Sequence, residues 1–412
     1  MSTNQPEAAM IPTAVPEGPL AGLVVLDMST MMAGPHTAMM LADFGATVIK
    51  VEGPGGDPSR GSPNKVNGTS VYWRVLGRNK FAVTLNLKHP KGRALLLRLV
   101  ERADALIENM RPGKLEALDL APTTLHEANP RLVILRVTGW GQTGPYSKRA
   151  TFGTQAEAMS GFTFANGHPD GPPTLPPQTI ADGSAGYLGA FALMAALWRR
   201  EQNPNGRGQV IDASLFESLF CMFGPAVSAY DQLGLVPQRR GSRAAVSAPR
   251  NIYKCRDDKY VAISCAAEQI ARRLFDILGR PELYSDGPYG TPEGRAANID
   301  ALDALIQEWM DQHDAAEVVE IFDKGGATAS PIYSIPEILE DPQFKSRGLV
   351  AEVPSTDVGP IKMQNVFPKM SETPGRIAWS GRPLGADNRL WFVEQLGIPA
   401  EEFDQLIEEG VI

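Results

Sequence analysis

A single carboxylate, Asp182, stands near the start of the apolar stretch TIADGSAGYLGAFALMAALWRR, residues 179–200. We expect a helix over 184–201, so that Asp182 lies just before its first turn. Asp is a favoured N-cap, worth about 1 kcal/mol over Ala. The same position suits chemistry, because the free N–H groups of residues 184–187 and the helix dipole would keep a carboxylate ionised and could bind the oxyanion of an acyl adduct. From the residues alone, both interpretations stay open.

A second candidate is the loop TGWGQTGPYS, residues 138–147, which follows a predicted strand. Its three glycines, Gly139, Gly141 and Gly144, lie where open α/β sheets bind ligands. Composition alone favours this binding loop no more than an ordinary turn-rich connection. The loop lacks the Lys-Ser/Thr ending of a P-loop, so nucleotide hydrolysis is not supported.

Several common chemistries are disfavoured by missing patterns. The first strand–helix turn, STMMAGP at residues 29–35, has one glycine where a dinucleotide binder needs G-x-G-x-x-G. Glu52 could contact a ribose but, without those glycines, is better interpreted as a surface carboxylate. No G-x-S-x-G elbow is present, and the five scattered histidines show no metal-ligand spacing, so no metal site is predicted.

The composition is that of an ordinary globular protein of two or three domains. The 412 residues are 43% hydrophobic and 21% charged, with a net charge of −8 and no long basic cluster, which disfavours nucleic acid and anionic membranes as partners. Three cysteines without a C-x-x-C pair suit a reducing cytoplasm. The N-terminus is not predicted to be a signal peptide, and no apolar run is expected to reach the about 18 residues that a membrane span needs.

These residues must be positioned by an α/β fold. Short apolar runs predict buried strands, and helical patterns alternate with them from the N-terminus to about residue 225. The predicted strands are 22–29, 47–52, 81–87, 104–109, 132–139 and 209–214. The unit formed by the first two strands and the helix 33–46 is a βαβ unit, so we predict a parallel, doubly wound sheet.

The pattern changes after the connector 234–251. Residues 251–255 and 259–265 flank Arg-Asp-Asp and predict a hairpin, followed by helices at 267–279, 299–312 and 315–323. This predicts a smaller α+β domain. Strands are expected within 347–368, and a final helix at 400–408.

Five collinear segments resemble the family III CoA-transferases, relatives of formyl-CoA transferase and carnitine CoA-transferase. They are VLDMSTMMAGPHTAMMLADFGATVIKVE, GRNKFAVTLNLKHPKGR, ALIENMRPG, LRVTGWGQTGP and the Asp182 stretch closing on GRGQVIDASLFE. The resemblance runs from about Pro19 to Ile412. It implies a Rossmann-like large domain and a smaller α+β domain in an interlocked homodimer. The implied division is a mobile tail at 1–17, the N-terminal part of the large domain at 18–228, the small domain at 229–335, and a C-terminal segment, 336–412, that returns to the large domain.

The same resemblance makes Asp182 the nucleophile. The carboxylate would attack an acyl-CoA, and an aspartyl-CoA thioester would then pass coenzyme A to a free carboxylic acid. Coenzyme A and acyl-CoA would be substrates, and no tightly bound cofactor is implied. Ala33, Leu85, Lys88, Asn109 and Arg111 fall at CoA-binding positions of the family. The remaining interpretation for the charged ones is a solvated surface cation.

Two alternatives stay open. The 2-methylacyl-CoA racemases share the fold and the aspartate, but they carry a His-Asp pair where this chain has ATFGTQAEA, residues 150–158; with Phe152 and Gly153 there, we expect no base in that segment. A catalytically silent CoA-binding protein is the other alternative.

Three positions depart from the family pattern. Gly153 stands where transferases usually carry an acid, and Met32 stands where a Gln is frequent. Both changes predict an apolar pocket and an acceptor less polar than oxalate or formate. Gly53 replaces an Arg that contacts coenzyme A in formyl-CoA transferase, and Arg60 is the nearby candidate to replace it.

Overall fold

The computed structural model describes residues 17–203, 205–244, 247–355 and 358–412. Apart from Glu17, the tail predicted at residues 1–17 lies outside the described residues. Contacts between Cα atoms divide the chain into two units. Among the described residues, the first unit comprises those within 17–162, 176–227 and 345–412, and the second comprises those within 163–175 and 228–344.

The strands of the described residues are short. In chain order they are β1 (Val24–Asp27), β2 (Thr47–Glu52), β3 (Lys65–Val66), β4 (Thr69–Ser70), β5 (Lys80–Thr84), β6 (Ala105–Glu108), β7 (Val133–Thr138), β8 (Val210–Ser214), β9 (Arg250–Lys254), β10 (Tyr260–Ser264), β11 (Ala329–Pro331), β12 (Val350–Val353) and β13 (Ile361–Gln364).

The α-helices of the described residues range from four residues to 22. They are α1 (Ala33–Asp43), α2 (Val71–Leu76), α3 (Pro90–Val100), α4 (Pro122–Ala128), α5 (Gly153–Met159), α6 (Phe162–Ala165), α7 (Ile180–Glu201), α8 (Leu215–Phe220), α9 (Ala226–Leu233), α10 (Glu268–Ile277), α11 (Glu282–Ser285), α12 (Pro292–Ala297), α13 (Ile299–Met310), α14 (Ala315–Gly325), α15 (Ile335–Glu340), α16 (Pro342–Ser346) and α17 (Ala400–Glu408). Short 3₁₀ turns lie at Pro58–Gly61, Glu116–Leu118 and Cys221–Phe223, and a π-helical segment at Arg389–Gln395.

The first unit is built on a six-stranded sheet of order β5-β2-β1-β6-β7-β8, and every pairing is parallel. The predicted parallel α/β sheet is therefore confirmed. Most residues of its inner strands are apolar because both faces are covered, and the charged residues among them, such as Asp27 and Lys50, are buried in ion pairs. Alternate side chains along a strand pack on opposite faces of the sheet. Leu26 and Ile49 belong to one core cluster, whereas Val25 and Val48 belong to the other.

The order of the strands places a topological switch point at the centre of the sheet. The chain steps outward from β1 to β2 and β5, then returns to β6 on the other side of β1 and continues to β7 and β8. At such a point the loops after two adjacent strands leave in opposite directions and open a crevice at their carboxyl ends. Here those loops begin with Met28 after β1 and Asn109 after β6.

The C-terminal segment completes the first unit along the edge strand β5. The Asp387 carboxylate accepts a hydrogen bond from the Ala82 N–H at 2.7 Å, and the Asn388 side chain accepts one from the Thr84 N–H at 2.8 Å. Phe403 and Leu406 of α17 enter the core. These contacts occupy the open backbone groups of an edge strand.

The second unit contains an antiparallel sheet of order β11-β10-β9 with α10, α13 and α14 around one core. The β9–β10 pairing is the predicted hairpin, with Asp258 in a left-handed conformation at its turn. Two segments differ from the sequence-based division. Residues 163–175, expected in the large domain, and residues 336–344, expected in the C-terminal segment, belong to the second unit.

Helix α7 departs from the sequence-based expectation in two ways. It begins at Ile180, four residues before the predicted start. It is also the one helix of the described residues long and apolar enough to cross a membrane by length and hydropathy. Half of its most apolar window is nevertheless buried within the protein, as in the core helix of a soluble protein.

Candidate active site

A cavity of about 480 Å³ opens at the switch point of the large sheet. Its lining includes Thr30 after β1, Asn109 and Arg111 after β6, Gly139 after β7, and Asp182. Three strand ends and the first turn of α7 therefore converge on one space. This is where an open parallel sheet is expected to bind its ligand.

Asp182 lies inside the first turn of α7, as its third residue. The N-cap is Thr179, whose carbonyl oxygen accepts the Gly183 N–H at 2.9 Å. The interpretation of Asp182 as the N-cap is therefore wrong, and so is the expectation that the open N–H groups are those of 184–187. A first-turn acid is still favoured by the helix dipole, which places partial positive charge at this end.

Close packing between α1 and α7 fixes the position of Asp182. A Cβ atom on Gly186 would lie 3.2 Å from the Ala33 carbonyl oxygen and from the His36 side chain. The Thr37 hydroxyl donates a hydrogen bond across the contact to the Gly186 carbonyl at 3.0 Å. Because Gly186 has no side chain, α7 approaches α1 closely, and the backbone N–H of Ala33 lies near enough to favour the charged form of Asp182.

The pKa of Asp182 is raised to about 6. Burial is the largest cause, since it penalises the charged form, and the nearby charge of Glu157 adds to it. Hydrogen bonds from the N–H groups of Asp182 itself and of Ala33 act in the opposite direction. Asp182 is thus a carboxylate that ionises near neutral pH and is only partly stabilised when charged, as expected of a reactive group.

The loop between β1 and α1 is held rigidly below this carboxylate. The Asn109 side chain accepts the Thr30 N–H at 2.8 Å and donates to the Thr30 carbonyl at 2.7 Å. Met31 adopts a left-handed backbone conformation with φ of 68°, which is strained for a residue with a side chain. The loop therefore needs an external support.

That support is a buried charge cluster under the loop. Lys50 lies 2.9 Å from Asp57 and 3.7 Å from Asp27, and Lys80 lies 2.9 Å from Asp27. Lys50 also donates to the Ser29 carbonyl, and Asp57 accepts the Met31 N–H at 3.3 Å. The pKa values of Asp27 and Asp57 are held below their usual range by these lysines, although burial acts to raise them. Each buried charge has a partner, so the cluster specifies the loop geometry.

The cavity brings together some of the predicted residues but not all. Ala33, Asn109, Arg111 and Asp182 line it. Leu85 and Lys88 do not. The Leu85 side chain is 1% exposed in the core, and its N–H is occupied by the Glu52 carbonyl at 2.7 Å. Lys88 is solvent-exposed beyond the end of β5.

Arg60 is a poor replacement for the missing contact at Gly53. Its guanidinium binds both oxygens of Glu52 at 2.6 and 2.7 Å and stacks over Trp73 at 3.7 Å. Glu52 is itself buried, so its interpretation as a surface carboxylate is wrong. Burial and pairing explain both findings, because an acid at the end of a covered strand requires a partner.

The glycine-rich loop after β7 combines the two interpretations left open for it. Its first part lines the cavity through Thr138 and Gly139, the location expected of a binding loop. A Cβ atom on Gly139 would lie 1.8 Å from the Thr151 side chain. Its second part is a turn in which Gly141 and Gly144 have positive φ.

Two residues of the site were missed by the sequence analysis. Tyr72 lines the cavity and donates to the Met32 sulfur at 2.7 Å, so Met32 and an aromatic ring form one wall, as expected for an apolar pocket. Glu157 lines the cavity from α5. The expectation that segment 150–158 offers no base is therefore wrong. Glu157 lies four residues after Gly153, and its helical spacing was the signal available in the sequence.

Comparison with known proteins gives one consistent result. The family described as CoA-transferase family III matches residues 20–388. A succinyl-CoA–D-citramalate CoA-transferase of Chloroflexus aurantiacus is 39% identical over 399 residues, which are 96% of this chain and 99% of that protein. The succinyl-CoA–L-malate CoA-transferase beta subunit of the same organism is also 39% identical, over 96% and 98% of the two chains.

The solved structures that resemble this chain belong to the same kind of protein as its sequence relatives. The crystal structure of a CAIB/BAIF family protein from Brucella suis superposes with a TM-score of 0.82 at 30% identity, covering 92% of this chain and all of that one. Both named relatives are transferases. The comparisons, rather than a missing base, now favour transfer over racemisation.

Proposed function

This chain belongs to CoA-transferase family III and is a CoA-transferase, and we propose that it moves coenzyme A from an acyl-CoA to a free carboxylic acid through a covalent intermediate on Asp182. The observation that carries the proposal is the setting of Asp182. Its carboxylate lies in a cavity at the sheet's switch point, at the N-terminal end of α7, where the backbone N–H of Ala33 favours its charged form. Its pKa near 6 leaves it ionised at neutral pH.

The first half of the reaction loads Asp182. A carboxylate oxygen of Asp182 attacks the thioester carbonyl carbon and the C–S bond breaks. The coenzyme A thiolate departs, and an acyl-aspartyl anhydride is formed. The thiolate then attacks the Asp182 carbonyl carbon, the anhydride C–O bond breaks, and the donor acid leaves as a carboxylate. The product is an aspartyl-CoA thioester.

The second half runs the same steps in reverse with a new acid. The acceptor carboxylate attacks the aspartyl thioester and displaces the thiolate, which then attacks the acceptor carbonyl and regenerates the Asp182 carboxylate. No net proton is consumed and the thioester bond is conserved. The Ala33 N–H is suited to stabilising the oxyanion that forms on Asp182 during each attack.

Coenzyme A is proposed to be held by the residues at the family positions. Arg111 is an exposed cation on the cavity wall and is suited to phosphate, as is the exposed Lys88. Ala33 offers a backbone N–H. Asn109 contributes by fixing Thr30, and Leu85 by forming the core beneath the loop that carries Lys88.

The acceptor is proposed to be a multicarbon acid less polar than oxalate or formate. Met32 and Tyr72 give the cavity an apolar wall, and Gly153 contributes no acid. The two named relatives act on citramalate and malate, which have longer carbon skeletons than oxalate. These names make succinyl-CoA with L-malate or D-citramalate a suitable first pair to assay, and because both are hydroxy-dicarboxylates, a less polar monocarboxylic acid of similar length belongs beside them.

We also propose that the active form is a homodimer of interlocked chains. Tyr187, Leu188, Phe191 and Trp198 of α7 leave large apolar side chains exposed on one chain. A contiguous apolar surface of this kind marks a protein interface.

A substrate panel tests the proposal. Purified protein is incubated with succinyl-CoA or acetyl-CoA and each of a set of acids, and new acyl-CoA is measured by liquid chromatography. We expect transfer to a multicarbon acid and little to oxalate or formate, with loss of transfer in Asp182→Asn. Preference for oxalate or formate would contradict the acceptor class, and undiminished transfer by Asp182→Asn would contradict the mechanism.

A further inference from the structure

Position 153 has no room for a side chain while the Asp182 carboxylate keeps the position it has here. A Cβ atom on Gly153 would lie 2.5 Å from a carboxylate oxygen of Asp182, which is shorter than any stable contact. Any side chain at this position would have to displace the nucleophile. The glycine therefore lets Asp182 lie directly against the N-terminus of α5.

A second carboxylate reaches the same cavity from the next turn of α5. Glu157 is 4% exposed and lines the cavity beside Asp182. Its Oε1 atom accepts the Ala181 N–H at 3.4 Å, so it binds the backbone immediately before the nucleophile. The other charged residue on the cavity wall is Arg111, and the other titratable one is Tyr72.

We propose that Glu157 is a positioning residue for the transfer reaction and takes the place of the acid that is absent at Gly153. Glu157 fixes the first turn of α7 through Ala181. It also makes the free, charged Asp182 carboxylate less favourable than the uncharged covalent forms of Asp182. This inference rests on the proposed function. Glu157 forms no covalent bond in it and exchanges no proton.

The physical argument is one of charge. Free Asp182 carries a negative charge close to Glu157, and a like charge raises the free energy of the ionised form. When Asp182 becomes an anhydride or a thioester, that charge leaves with the departing thiolate or carboxylate, and the repulsion is relieved. The raised pKa of Asp182, caused first by burial and then by Glu157, has the direction this argument requires.

The test replaces the charge but keeps the shape. Glu157→Gln retains an amide oxygen to accept the Ala181 N–H, whereas Glu157→Ala removes both functions; Glu320→Gln, at an exposed site on α14, is the control. The rate of transfer from succinyl-CoA and the fraction of Asp182 carrying coenzyme A are measured from pH 4.5 to 8.5. Folding is checked by thermal melting.

Activity of the parent should fall below about pH 6, where Asp182 becomes protonated. In Glu157→Gln we expect about tenfold slower transfer. We also expect the acidic limb of its pH–rate profile to lie about one pH unit lower than that of the parent protein. A residue that only supported the fold would leave the limb in place in this variant. An unchanged rate and limb in folded Glu157→Gln would overturn the inference.

Infrared difference spectra, in which the spectrum of Asp182→Asn is subtracted from that of the parent protein, measure the pKa of the Asp182 carboxylate without requiring transfer. They therefore separate this inference from the proposed function. If the parent shows no transfer, the proposed function fails. The spectra then still report whether Glu157→Gln lowers the pKa of Asp182, and an unchanged pKa would overturn the inference by itself.

Discussion

At the scale of single residues, the site depends on one carboxylate in a conflicting environment. Burial and Glu157 oppose the charge on Asp182, while the Ala33 N–H supports it. The sequence could identify Asp182 as a candidate because a lone acid at the start of an apolar helix is unusual. It could not distinguish the N-cap from the third helical residue, because Asp is favoured at both positions.

Cations at the proposed coenzyme A positions should affect binding more than chemistry. We expect Arg111→Gln and Lys88→Gln each to raise the KM for acyl-CoA about tenfold, equivalent to about 1.4 kcal/mol, with little change in kcat. Lys91→Gln is the matched control, because this exposed lysine is paired with Glu409 at 2.6 Å. Steady-state kinetics at two ionic strengths measures the effect. An equal change in all three variants would indicate a general charge effect rather than a coenzyme A contact.

At the scale of elements, the site is produced by strand order and by helix contact. The return of the chain from β5 to β6 opens the crevice, and glycines let α7 approach α1. Most element positions followed from the sequence, because strands buried on both faces are continuous apolar runs. The start of α7 and the role of Glu157 did not. The four-residue spacing between Gly153 and Glu157 is one helical turn, but the sequence analysis predicted no helix over α5 and so did not use this spacing.

Two glycines of α7 provide a matched pair for testing the helix contact. Gly183→Ala adds a methyl group where no atom lies within 4 Å, so we expect it to stabilise the protein by about 0.5–1 kcal/mol. Gly186→Ala places a methyl group 3.2 Å from the Ala33 carbonyl, and we expect a loss of about 1 kcal/mol or more. Urea unfolding measures both changes. Equal stabilisation by the two substitutions would show that α1 and α7 do not constrain each other here.

At the scale of the whole molecule, the family relationship and the sheet topology agree, and each was accessible from the sequence. The five collinear motifs resembled family III, and the family description covers residues 20–388. Assembly was accessible only through that resemblance. An exposed apolar helix face is typical of an interface, but the pattern of one chain does not specify which chain would cover it.

The proposed assembly predicts a stable dimer. Light scattering after size exclusion should give twice the 44.5 kDa mass of the chain. Interlocked chains cannot separate without unfolding, so Phe191→Glu should lower the yield and the thermal stability of the folded dimer, since this side chain is 73% exposed in the single chain and is proposed to lie in the interface. Ile407→Glu, at an exposed apolar position of α17, is the control. A monomeric parent protein would contradict the proposal.

The central claim is that Asp182 carries coenzyme A covalently during transfer. The most direct measurement is to mix the protein with succinyl-CoA, quench in acid, digest, and determine by mass spectrometry whether the peptide containing Asp182 has gained coenzyme A. We predict the adduct in the parent protein and none in Asp182→Asn, together with loss of transfer by that variant. Transfer without any adduct on this peptide, at a rate that Asp182→Asn retains, would contradict the mechanism.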